Sequence, residues 1–185
     1  QLGGATIHEY QTNPETGLLD NIDIERVSST TYDDWETIKS FHNLEPRFSA
    51  RFTLNEKSSV KASYNRMVQN VHLLSNSTIP VPFNTWKPSS VYLRPQKADQ
   101  VALGYFRNLE DNAIEMSVEA FYKSLDNVTE FADNAQLLLN DDVAVEYRQG
   151  EGTSYGLELY LSKNTGRLTG FLSYTLSRAE MTVPE

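Results

Sequence analysis

From Leu44 onward the side chains alternate between apolar and polar, and a period of two dictates strands whose two faces meet different surroundings. In residues 47–54, Phe48, Ala50, Phe52 and Leu54 share one face, while Arg47, Ser49, Arg51 and Thr53 share the other. Residues 59–67 set Val60, Ala62 and Tyr64 against Lys61, Ser63 and Asn65, and residues 97–107 set Val101, Leu103 and Tyr105 against Gln100, Ala102 and Gly104. The clearest alternation is Ile114, Met116, Val118, Ala120 and Tyr122 against Glu115, Ser117, Glu119, Phe121 and Lys123. Two more strands are predicted at 155–162, with Tyr155, Leu157, Leu159 and Leu161 on the apolar face, and at 168–177, with Leu168, Leu172, Tyr174 and Leu176.

The connections alternate too. Tight reversals rich in turn-forming residues stand at Asn55-Glu56-Lys57-Ser58, Leu109-Glu110-Asp111-Asn112 and Asn164-Thr165-Gly166-Arg167. The other links are long, running from about Val68 to Gln96 and from about Asp126 to Thr153. All the long links therefore fall at one end of an antiparallel meander, and this asymmetry is what an outer-membrane barrel requires: apolar side chains outward, polar ones inward, short turns on one side and long loops on the other. Tyr64, Tyr105, Tyr122, Tyr155 and Tyr174 all lie on the apolar face, and amphipathic rings of this kind suit the headgroup level. A soluble β-sandwich binding or adhesion module gives the same alternation and stands as the alternative.

Charge and composition narrow the function classes. Of the formal net charge of −9, −7 falls before Arg47, where nine acids meet only Arg26 and Lys39. Residues 1–43 read as an acidic, solvated extracellular loop segment, and residues 44–185 as the barrel strands and loops. With no cysteine, disulfides and thiolate metal sites are excluded, and the acidic balance argues against a nucleic-acid partner. No apolar run is long enough for a membrane-spanning helix, which excludes only the helical kind of membrane protein.

Catalytic signatures are lacking: there is no Gly-x-Ser-x-Gly, no phosphate-cradling glycine loop and no His-Glu-x-x-His. His8, His42 and His72 share no ligand spacing, and Asp141, Asp142 and Glu146 lack the glycine-centred loop of a calcium site, so neither metal nor cofactor is expected. Glu115 and Glu119 share a strand face with Lys123, which reads as charge lining a wet barrel interior better than as an acid–base pair. The link 68–96 carries Phe83, Trp86, Lys87, Tyr92 and Arg94 among Pro80, Pro82, Pro88 and Pro95. Aromatic rings beside an arginine on a stiffened loop are what recognition surfaces favour, so Phe83, Trp86, Tyr92 and Arg94 are the candidate ligand contacts. Packing of the same rings onto the loop or the barrel wall is the plainer reading.

The stretches LEPRFSARFTLNEKSSVKASYNRMVQNVHLLSNS (44–77), ADQVALGYFRN (98–108) and SYGLELYLSKNTGRLTGFLSYTLSRAE (154–180) resemble the β-barrel of TonB-dependent outer-membrane receptors, especially the branch with an N-terminal carboxypeptidase-regulatory-like domain. The likeness spans about residues 42–180, with the Tyr-Gly-x-Glu start at 155–158 and Ser-Tyr-Thr-x-Ser at 173–177 its most specific parts. It implies a non-enzymatic receptor in the bacterial outer membrane that imports a scarce nutrient, a siderophore, cobalamin or a glycan. It also implies contact with outer-membrane lipid and, through a plug region that this sequence does not contain, with the TonB machinery. Six strands are fewer than the about eight of the smallest barrels and the about 22 of plugged transporters, so a partial barrel is expected.

Overall fold

A computed structural model of the chain describes residues 6–11, 26–33, 36–74, 85–110, 113–131 and 146–183. Every regular element among them is a strand or a single turn, and the centre is one six-stranded antiparallel sheet. Its strands are β3 (Arg47–Asn55), β4 (Ser58–Gln69), β7 (Gln96–Leu109), β8 (Ile114–Phe131), β9 (Tyr147–Lys163) and β10 (Gly170–Thr182), side by side in chain order. Two ribbons accompany them: β1 (Thr6–Tyr10) with β2 (Arg26–Thr31), and β5 (Val71–Leu74) with β6 (Thr85–Pro88). The six strands are those expected from the alternation. The turns follow local chemistry as well; at the first, the Asn55 side-chain carbonyl accepts the Lys57 amide at 3.0 Å, an Asx turn that caps the reversal.

Register converts alternation into rows that cross the whole sheet. On the apolar face one row reads Phe48, Tyr64, Val101, Tyr122, Tyr155 and, on the edge strand β10, Arg178. The next rows toward the tight turns read Ala50, Ala62, Leu103, Ala120, Leu157, Leu176 and then Phe52, Val60, Tyr105, Val118, Leu159, Tyr174. These side chains are bare: Phe52 is 70% exposed, Leu103 58% and Leu176 63%. Among the described residues no second sheet packs on them, so the sandwich alternative has no counterpart here. The sheet is an open arc, with β3 and β10 as its edges.

Three expectations about the connections need correcting. The expected link after β8 starts at Asp126, yet β8 runs on to Phe131 and β9 begins at Tyr147. A bulge at Asn127, in left-handed backbone with φ 56°, shifts the pairing by one residue and breaks the period of two that the expectation relied on. Gly150 lies in this extension because the Thr182 carbonyl crosses it; a Cβ there would sit 2.0 Å from that oxygen. The link 68–96 holds an element that the alternation does not predict, the β5–β6 ribbon. The last turn is longer than four residues: it spans 164–169, so Leu168 lies in it and not on the strand face.

Candidate functional site

The link between β4 and β7 is built outward from its own hydrogen bonds. Val71 pairs with Pro88 and Leu73 with Trp86, and the Asn70 carbonyl accepts the Ser89 amide at 2.7 Å, closing the base of the ribbon. His72 is 3% exposed and shares a 3.2 Å hydrogen bond between Nε2 and the Ser89 hydroxyl. Burial holds its pKa below the ordinary imidazole value, because desolvation disfavours the charged ring. The Ser90 amide donates to the Leu93 carbonyl at 2.9 Å, turning the chain back before β7.

That turn is clamped to the extended ends of β8 and β9. Leu93, 2% exposed, packs with Tyr147 and Phe131, whose rings lie 5.4 Å apart. The buried Gln149 side chain accepts the Arg94 amide at 2.9 Å through Oε1, and its Nε2 donates to the Arg94 carbonyl at 2.9 Å and to the Thr129 hydroxyl at 3.1 Å. Asn127, the bulge residue, donates from Nδ2 to the Pro95 carbonyl at 3.0 Å. A single glutamine thus satisfies both backbone groups of Arg94, which secondary structure would otherwise have to pair.

The candidate residues fall in distinct settings. Tyr92 is half-buried; its hydroxyl accepts the Tyr10 amide at 2.9 Å and the two rings meet edge to face at 5.7 Å, tying the β1–β2 ribbon to the clamped turn. Burial raises the Tyr92 hydroxyl pKa, with the bond from the Tyr10 amide acting in the opposite direction. Arg94 is exposed on the same turn, and Trp86, 64% exposed, stands on β6 of the preceding ribbon. Phe83 lies outside the described residues. Sequence reading missed Gln149, Asn127, Tyr147 and Tyr10, which hold the turn in place; none carries a local signal, since their partners are 16 to 82 residues away.

The polar face has its own order. One register row reads Arg51, Lys61, Gly104, Glu119, Glu158, Thr175, so cations occupy one half of the row and carboxylates the other. Gly104 divides them, and the Phe106 ring covers it so closely that a Cβ would meet Cε2 at 2.8 Å. A hollow of about 450 Å³ opens beside it, lined by Phe106, Glu115, Ser117, Glu119, Glu158 and Tyr160. Among the described residues no group of His, Asp or Glu is arranged to hold a metal ion. His8 and His72 sit on different ribbons, His42 lies in the segment before β3, and Asp141 and Asp142 lie outside the described residues.

With this geometry in hand, the comparisons with known proteins have a structural meaning. Two solved structures share the fold: a chain in the FpvAI–pyocin S2 complex, at 15% identity and a TM-score of 0.55 over 85% of this chain and 19% of that one, and a chain of P. aeruginosa FpvA bound to heterologous pyoverdines, at 16% identity and 0.50 over 84% and 19%. The chain therefore spans about a fifth of the length of each. No curated protein sequence matches it. The sequence matches the family described as TonB dependent receptor-like, beta-barrel, over residues 18–184. An open arc with bare apolar rows and all its short turns at one end agrees with that match, and the chain belongs to the TonB-dependent receptor-like β-barrel family.

Proposed function

We propose that this chain forms part of the wall of an outer-membrane receptor that captures a scarce nutrient complex and imports it at the expense of inner-membrane energy delivered by the TonB machinery. The observation that carries the reading is the sheet's two-sidedness: rows of uncovered apolar side chains on one face, and a charged, hydroxyl-rich face on the other. Lipid suits the first and a wet lumen the second. The bacterial outer membrane is the location that fits both, and outer-membrane lipid is then the partner of the apolar face. A small-molecule or glycan ligand of the siderophore, cobalamin or glycan class is the proposed cargo; the fold relatives in complexes with a pyoverdine and with pyocin S2 favour testing siderophores first.

Trp86, Tyr92 and Arg94, together with Phe83, are the proposed ligand contacts. Tyr92 and Arg94 share a turn that Gln149 and Leu93 hold rigid, which lowers the entropy lost when a ligand docks. Trp86 offers a large exposed ring at low conformational cost. The test is uptake by the full-length receptor of ferric siderophores, cobalamin and oligosaccharides, with and without a functional TonB system. TonB-dependent uptake of one class is expected, reduced roughly tenfold by Trp86→Ala combined with Arg94→Ala if each residue supplies part of a central contact. Uptake unchanged by the pair at normal surface level would remove these residues from the site, and absence of energy-dependent uptake across all three classes would remove the transport reading.

A further inference from the structure

On the apolar face, one boundary separates side chains left bare from side chains that the protein covers itself. Between the tight turns and the row Phe48, Tyr64, Val101, Tyr122, Tyr155, the apolar groups have no cover: Val101 is 49% exposed, Tyr122 47% and Leu157 41%. The next row on this face changes character completely, to Arg66, Asp99, Ser124, Thr153 and Glu180. Its charges are neutralised pairwise. Arg66 grips Asp99 through Nε at 2.8 Å and Nη2 at 2.9 Å, and Glu180 pairs with Arg178, the one charge in the preceding row, which stands on the edge strand β10 and meets its partner at the polar level. Tyr64 spans the change: its ring belongs to the last apolar row, and its hydroxyl donates to Asp99 Oδ1 at 2.5 Å. The following row adds Lys97, Asp126 and Glu151.

Above those charges apolar groups return, now buried. The bulge at Asn127 swaps the parity of β8, so Thr129 and Phe131, paired with Gln149 and Tyr147, share by register the side on which Tyr122 and Tyr155 lie. There the turn 89–95 folds over them, and Leu93 and Tyr147 fall to 2% and 6% exposure. A protein covers apolar groups where water would touch them and leaves them bare where hydrocarbon does. From the last apolar row to Leu109 and Ile114 at the turns the strands run about 26 Å, or roughly 20 Å of membrane depth at a tilt of about 40°, close to the apolar band of outer-membrane barrels.

We infer that the outer leaflet of the membrane ends between the Tyr64–Tyr122–Tyr155 row and the Arg66–Asp99–Thr153 row, with Tyr64 and the Arg66–Asp99 pair at headgroup level and the clamped turn 89–95 forming a shoulder above the lipid, at the extracellular rim where Tyr92 and Arg94 remain within reach of an arriving ligand. This rests on the membrane reading proposed above. The chain has no cysteine, so each introduced cysteine is unique within it, and labelling is read against the receptor without the substitution. In the full-length receptor on intact cells, a membrane-impermeant maleimide should label Ser124→Cys, Asp126→Cys and Thr153→Cys at least roughly tenfold faster than Val101→Cys, Leu103→Cys and Leu157→Cys, which hydrocarbon shields until detergent denaturation. Each variant is compared at equal surface level and with the heat-dependent gel mobility of the folded barrel. Labelling of Val101→Cys while Leu103→Cys and Leu157→Cys stay shielded puts the boundary lower and overturns the inference alone. Shielding of Asp126→Cys and Thr153→Cys puts it higher and overturns it likewise. Rapid labelling of Leu103→Cys and Leu157→Cys together with the rest overturns the membrane reading itself.

Discussion

The wall and the shoulder of this chain solve the same problem, covering apolar side chains, in opposite ways. In the wall, from the tight turns up to Tyr64 and Tyr122, each strand hydrogen-bonds its neighbours and the apolar rows face away from the protein. In the shoulder, Leu93, Phe131 and Tyr147 form a small core of their own, fixed by Gln149 and Asn127 through side-chain bonds to the backbone. The wall draws its apolar stabilisation from its surroundings and its order from backbone ladders, so one side chain on it is worth what the solvent there makes it worth. The shoulder draws on contacts between particular residues far apart in the chain, so its loss is local and specific.

Substitutions can break this contrast, beginning with the wall. Leu157→Arg places a charge in the middle of the apolar rows and should destabilise the receptor in lipid vesicles by about 2–4 kcal/mol in urea unfolding. A much smaller loss would mean that water reaches this face. Leu93→Ala should loosen the shoulder by about 2 kcal/mol, near the low end for buried leucine because its core is small. The readout is faster proteolysis between residues 85 and 95 with unchanged heat-dependent mobility of the barrel; a loss of barrel mobility would show that wall and shoulder fold as one unit. Gln149→Leu should remove about 1–3 kcal/mol by leaving the Arg94 amide and carbonyl unpaired, visible as faster amide exchange at Arg94 and Gln96.

The smallest effect expected is a pH dependence in the β5–β6 ribbon. Because burial depresses the folded-state pKa of His72, the open ribbon takes up a proton before the closed one does. Ribbon stability is then full above about pH 6.5 and declines as pH falls through that value toward the lowered folded pKa. Amide exchange of β5 and β6 should speed up between pH 7.5 and 5 relative to β8, and His72→Gln should flatten the difference. An identical profile in β8 would assign the effect to the whole sheet.

How much of this was legible beforehand follows the same division. The wall was readable because its code is local: in β8 from Ile114 to Tyr122 every second residue faces the same surroundings. The sequence-based strand ended near Lys123 because Ser124 and Asp126 on the apolar side look like loop residues, when they are strand residues at a polar level. The strand beyond it was hidden by the extra residue at Asn127 and by Gly150 and Gly152, which lower strand propensity while permitting the close approach of β10. Tyr92 and Arg94 could be singled out by residue type, yet their attachment to Tyr10 and Gln149 could not, since pairings across 82 and 55 residues leave no periodic trace.

The bulge at Asn127 also separates what this molecule can change from what it must keep. Because the inserted residue ends one register and starts another, an insertion or deletion in the chain beyond Phe131 is absorbed above Asp126 and leaves the pairing of Ile114–Asp126 with Glu151–Lys163 untouched. Length and surface chemistry can thus change above the bulge, while the paired strands below it, which the proposed membrane reading puts in lipid, inherit none of that variation.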